Sequence, residues 1–155
     1  MTFTAGQTPT ADELNAALPI PPAVKSADET VTSSTTLQND DHLLVSVAAN
    51  TTYLLEMDFV FSANASGDLK TTFTVPSGTT GALNMTSDAG TSTGVSMTST
   101  AVWDGTGTDE QARIWGRVVT SSTAGTIRLQ WAQNASFGTG TIIRNGSSLK
   151  IFRIS

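Results

Sequence analysis

The chain has 155 residues, 44 of them serine or threonine (27 Thr and 17 Ser), with 13 Gly, no Cys and a formal net charge of −5. That composition excludes disulfides and thiolate metal centres and argues against a nucleic-acid partner. It favours strands and tight turns over helices, because Thr is β-branched while Gly and Ser populate turns.

The length suits one hydrophobic core. No stretch approaches the roughly 18 apolar residues of a membrane span, and the N-terminus lacks the basic-then-apolar layout of a signal peptide, so synthesis in a cytosol is expected. The charges are unevenly placed. Through Glu110 there are 13 acids against Lys25 and Lys70, a balance of −11; from Gln111 onward there are six basic residues and no acid, a balance of +6. Either the two portions pair between neighbouring subunits or form a patch for an anionic partner, or Arg113, Arg117, Arg128, Arg144, Lys150 and Arg153 simply point outward from strands.

In chain order, Met1 to Gln7 reads as extended. Thr10 can cap a helix over Ala11 to Leu18, with Glu13 completing a capping box, and Pro19, Pro21 and Pro22 stop it. Leu14, Ala17, Leu18 and Ile20 form an apolar stripe that two turns cannot bury alone, so residues 1–25 read as an anchoring arm, with Phe3, Leu14, Leu18 and Ile20 as its assembly contacts. Residues 26–155 read as the β domain. Thr30 to Thr32 is a first strand, and Asp40-Asp41 leads into a second over His42 to Val47.

The most regular stretch follows. In Thr51 to Ser62 the residues Tyr53, Leu55, Met57, Phe59 and Phe61 fall on alternate positions, which places them on one face of a long strand. Burying each is worth about 2 kcal/mol gross. Ser62 to Asp68 reads as a loop, Leu69 to Val75 as a strand ended by Pro76-Ser77-Gly78, and Ala82 to Met85 as a short strand. Ser87 to Gly94 reads as a Gly/Ser/Thr loop, Val95 to Val102 as a weak strand, and Trp103 to Asp109 as another loop. Arg113 to Thr120 sets Ala112, Ile114, Gly116 and Val118 against Arg113, Trp115, Arg117 and Val119. Thr126 to Gln133, Thr141 to Ile143 and Ser148 to Ile154 complete the set, the last two joined by the tight-turn pair Asn145-Gly146. About eight strands with one short N-terminal helix predict an all-β fold, an antiparallel β-sandwich of jelly-roll type.

Catalytic chemistry has little support. His42 is the only histidine, and no Gly-x-Ser-x-Gly elbow presents a serine to it, so it reads as a strand-edge histidine beside two aspartates. One histidine without cysteine does not make a zinc site. Asp104, Asp109 and Glu110, or Asp40 with Asp41, suit a hard ion but match no defined calcium loop, and they read as solvated acids. Glu56 and Asp58 lie about 7 Å apart on one strand face, a spacing that glycosidases use, but such a face carries acids in any case. Neither an enzyme, a metal nor a cofactor is expected. The Asn-x-Ser/Thr triplets at Asn50, Asn64, Asn84, Asn134 and Asn145 arise by chance in so Ser/Thr-rich a chain. Trp131 reads as core. Trp103 in its loop, and Trp115 on one outward face with Arg113 and Arg117, read as the candidate partner-binding residues, because aromatics beside arginines are enriched at interfaces and stack on sugars.

Two stretches carry a resemblance. The opening Phe3-Thr4-Ala5-Gly6-Gln7-Thr8-Pro9-Thr10-Ala11-Asp12-Glu13-Leu14-Asn15 resembles a segment of tail and minor structural proteins of tailed bacteriophages, especially those infecting actinobacteria. The body is similar to a β domain of the same proteins from Asp28-Glu29-Thr30-Val31 through Thr35 to Asp41 and Asn50 to Tyr53, with Gly67 to Lys70 and Val75 to Gly78. Gly125 to Trp131 and Gly146 to Ile154 fit its final strands. The resemblance implies a virion component made in the host cytoplasm, a capsid-decoration, head-fibre or minor tail protein. It implies a homotrimer anchored at one end, with other virion proteins as partners. The alternative is a phage adhesin that binds host cell-surface glycan through Trp103, Trp115 and nearby loops.

Overall fold

The computed structural model describes Gly6, Thr8, Thr10, residues 19–88 and residues 90–154, with backbone alone over 90–94. The expected helix over Ala11 to Leu18, and with it Phe3, Leu14 and Leu18, lies outside the described residues.

Twelve strands are present among the described residues: β1 (Ala23–Val24), β2 (Glu29–Val31), β3 (Gln38–Val47), β4 (Thr52–Ser62), β5 (Leu69–Thr74), β6 (Thr80–Ser87), β7 (Gly90–Ser96), β8 (Ala101–Trp103), β9 (Asp109–Val119), β10 (Gly125–Gln133), β11 (Thr141–Ile143) and β12 (Ser148–Arg153). They form two antiparallel sheets. The larger runs β1-β12-β4-β9-β6-β7, with β11 joining β2 to β4; the smaller runs β3-β10-β5-β8. From β2 onward every connection crosses from one sheet to the other, except the β6-β7 hairpin and the step from β11 to β12, which lie in line along the same edge of β4. That alternation is the jelly roll the sequence pattern predicts, with β6-β7 appended outside β9.

The alternation in β4 has the expected consequence. Tyr53, Leu55, Met57, Phe59 and Phe61 are all buried, and β9 and β12 flank them with Ile114, Val118, Leu149 and Ile151. The small sheet supplies the facing layer through Val45, Val47, Phe73, Ile127, Leu129 and Trp131. Gly116 stands where β9 and β6 approach most closely: a Cβ there would meet the Ala82 carbonyl oxygen at 2.1 Å. Asn145-Gly146 turns, with Gly146 at φ +81°, but it makes no hairpin: β11 and β12 both pair with β4 and not with each other.

Three expectations need correction. Ser87 to Gly94 is no loop, because β7 pairs antiparallel with β6 through Ser87↔Gly90. Val95 to Val102 is not one strand: β7 ends at Ser96, and β8 begins on the other sheet at Ala101. Trp103 belongs to β8 and not to a loop; it pairs with Leu69 and is 5% exposed.

At the sandwich edge, β1 and β2 are separated by Lys25 to Asp28, and β11 and β12 by Arg144 to Ser147. The two interruptions face one another: Lys25 N–H donates to the Ser147 carbonyl, and Gly146 N–H donates to the Lys25 carbonyl, both at 2.8 Å. This break turns the Lys25 side chain inward.

Candidate functional site

The outer face of the large sheet carries most of the side chains singled out for binding. Register sets Trp115 opposite Glu56, Arg113 opposite Asp58, and Arg117 opposite Leu54. Arg113 bridges the two acids of β4, at 3.5 Å to Glu56 Oε2 and 3.5 Å to Asp58 Oδ1, and its guanidinium carbon lies 5.9 Å from the Trp115 ring centroid. Lys150 of β12 approaches Asp58 from the other side, at 3.8 Å. Each such surface pair contributes at most about 1 kcal/mol, so the network orients side chains more than it stabilises the fold. Glu56 and Asp58 do share a face, but the arginine between them occupies the carboxylates in this arrangement.

Trp103 does not join this surface. Its ring sits in the core against Phe59, and its indole N–H donates to Thr71 Oγ1 at 2.8 Å, which removes it from the partner-binding candidates. Ile20, expected as an assembly contact, packs against this chain's own core.

Residues of the same face that sequence reasoning did not single out are Leu54, 36% exposed, and Phe152, 49% exposed, which are register partners between β4 and β12. Ile154, 60% exposed, donates its N–H to the Thr52 carbonyl at 2.8 Å and so stays beside them. The signal was present in the alternation itself, since both Leu54 and Phe152 stand at outward positions where polar residues are the rule. Single exposed apolar residues are ordinary; here three of them adjoin on one face. Further along the same face, Asp58, Thr86, Asp88 and Arg113 border a depression of about 500 Å³.

The acidic and basic portions pair within one chain. Arg144 binds Asp28 at 2.9 Å and Asp109 at 2.8 Å, as Arg113 and Lys150 bind the acids of β4. The Asn145 N–H and the Arg144 guanidinium hold the Asp28 carboxyl below its ordinary value, and hydrogen bonds from Arg144 to Asp28 and Asp109 raise Arg144 in turn. The topology explains the uneven charge. The jelly roll inserts second-half strands β9 and β12 on either side of first-half strand β4. Arg117, Arg128 and Arg153 have no ion-pair partner within 4.0 Å among the described residues.

The expectation of solvated loop acids fails at Asp40 and Glu110, which are buried and hydrogen-bonded. Glu110 is buried, and its Oε1 accepts from Thr106 N–H at 2.9 Å and Thr106 Oγ1 at 3.1 Å, which closes the Gly-rich loop. Glu29, Asp40 and His42 bring potential ligand atoms within 4.8 Å of one another, but Lys25 Nζ bonds both carboxylates, so an ammonium supplies the positive charge there. His42 lies on β3, as expected of a strand-edge histidine, and its N–H donates to Asp40 Oδ1 at 2.9 Å.

Among the described residues no helix is long and apolar enough to cross a membrane. No family model matches the chain, and no curated protein matches it. Among solved structures it is similar to one described as "Structure of infectious bursal disease virus Gx strain", at 11% identity and a TM-score of 0.26, over 97% of this chain and 44% of that one. The chain therefore spans less than half the length of that viral protein.

Proposed function

We propose that this chain is a non-enzymatic structural protein of a bacteriophage virion, of the capsid-decoration, head-fibre or minor-tail kind. In this reading it assembles as a symmetric oligomer, a homotrimer, on the particle surface. The observation that carries the proposal is the outward Leu54–Phe152 pair with Ile154 beside it, on a sheet whose inner face is already committed to the core. A closed ring buries the same patch on every subunit and leaves no copy with it exposed. The resemblance of Phe3 to Asn15, and of the body, to tailed-phage structural proteins supports the reading. The jelly roll agrees by fold analogy alone, since the same architecture builds capsid and lectin domains.

Immunogold electron microscopy of purified virions from the phage that encodes this chain tests the placement. Label repeating over the head or tail surface is the expected result; label confined to unassembled material contradicts it.

A second reading, a glycan-binding adhesin, is favoured by one feature: Trp115 beside Arg113, which borders the depression carrying Asp58 and Asp88. Indole faces stack on sugars while carboxylates accept their hydroxyls. A glycan array probed with the wild type and with Trp115→Ala separates the readings, because a purely structural subunit gives no signal with either.

A further inference from the structure

Lys25 is 1% exposed and Asp40 is 0% exposed, and they meet across the two sheets with Lys25 Nζ 2.8 Å from Asp40 Oδ2. Lys25 Nζ also donates to the Glu29 carboxylate. Isolating an ion pair from water is costly, and apolar side chains of similar volume often replace such a pair without loss. The remaining contacts suggest a chemical use for it. Asp40 Oδ1 accepts two backbone N–H groups, from His42 at 2.9 Å and Leu43 at 2.8 Å, the arrangement that stabilises an oxyanion. Glu29 is held by the Asp41 N–H on Oε1 at 3.2 Å, and its side chain alone among the three reaches solvent. The Lys25 backbone is fixed through both its N–H and its carbonyl. Nucleophile, electrophile, oxyanion donors and proton carrier are thus held together before any reaction.

We propose that Lys25 and Asp40 condense to an intramolecular isopeptide bond, with Glu29 as the proton relay. Glu29 carries a proton from the Lys25 ammonium to Asp40 Oδ2, and the freed nitrogen lone pair attacks Cγ of the now neutral Asp40 carboxyl. Charge collects on Oδ1, facing the His42 and Leu43 N–H groups. Glu29 then carries a second proton from the nitrogen to Oδ2. The Cγ–Oδ2 bond breaks and water leaves past Glu29, which ends as the carboxylate it began as. An ammonium and a carboxylate become an amide and one water, so no oxidant or co-reactant enters. Asp40 and not Glu29 is the electrophile because only Asp40 has two amide donors on one oxygen and no exposure to water. The product ties the start of the large sheet to β3 of the small one, where the arm enters the sandwich.

Intact-mass spectrometry of the purified full chain, followed by trypsin digestion after denaturation, tests this. Lys25 and Lys70 are the only tryptic sites before Arg113. The expected result is a mass one water below that of the sequence, with a single peptide from the N-terminus to Lys70 whose fragments join Lys25 to Asp40. Glu29→Gln, folded by circular dichroism, is expected to regain the full mass and to be cut after Lys25. Wild type at full mass with cleavage after Lys25 overturns the proposal, as does a water loss located elsewhere or a link to Glu29. A water loss retained in Glu29→Gln overturns the relay.

Discussion

Trp103 meets Phe59 edge-on, with ring centroids 5.2 Å apart and ring planes at 89°. The contact joins the last strand of the small sheet to the central strand of the large one, so a residue that composition assigns to a loop closes one end of the core. Trp103→Ala is expected to cost about 3–5 kcal/mol, the range for removing a buried large aromatic. Trp103→Phe keeps the edge contact but leaves Thr71 Oγ1 without its indole donor, and is expected to cost about 1–3 kcal/mol. Urea midpoints measure both. A change below about 0.5 kcal/mol in Trp103→Ala, typical of surface positions, would contradict the burial.

Gly116→Ala tests the β9-β6 approach. The added methyl meets the Ala82 carbonyl oxygen and Leu83 Cα, which belong to backbone and do not swing aside. The expected cost is about 1–3 kcal/mol, as for overpacking, with faster amide exchange across the Gly116↔Leu83 pairing. Unchanged exchange there would contradict the register.

The Asp28 carboxyl sits below its ordinary value of 3.8, because the folded chain favours its charged form through the Asn145 N–H and Arg144. A group lowered on folding stabilises fully above its unfolded value, and that contribution disappears as pH falls through the folded one. Carboxyl-carbon NMR is therefore expected to show Asp28 titrating below a free aspartate, and Asp28→Asn is expected to flatten the acid limb of the stability profile. Titration at the ordinary value in the wild type would contradict the pairing.

The strands that cover the core were legible because burial writes itself as alternation. β4 runs nearly as read and β11 matches its expected bounds of Thr141 to Ile143, while β9 begins at Asp109, four residues before the expected Arg113. The β6-β7 hairpin was half missed because β7, Gly-Thr-Ser-Thr-Gly-Val-Ser, has no regular apolar alternation to read, and it is its pairing with β6 at the sheet's edge that makes it a strand. Trp103 was hidden by the Asp104-Gly105-Thr106-Gly107 run after it, although Ala101 and Trp103 already stood two apart. The charge split was visible, but whether it pairs within or between chains depends on which strands interleave, a property of topology. Lys25 and Asp40 gave no local sign, because 15 residues separate them and only the meeting of two sheets brings them together.

Sedimentation velocity of the full chain across the micromolar range, for the wild type, Leu54→Asp and Phe152→Asp, tests self-association through the outer face most directly. The expected result is a wild-type trimer, with both variants sedimenting as folded monomers. A wild type that sediments as a compact monomer throughout, indistinguishable from the two variants, would contradict assembly through that surface.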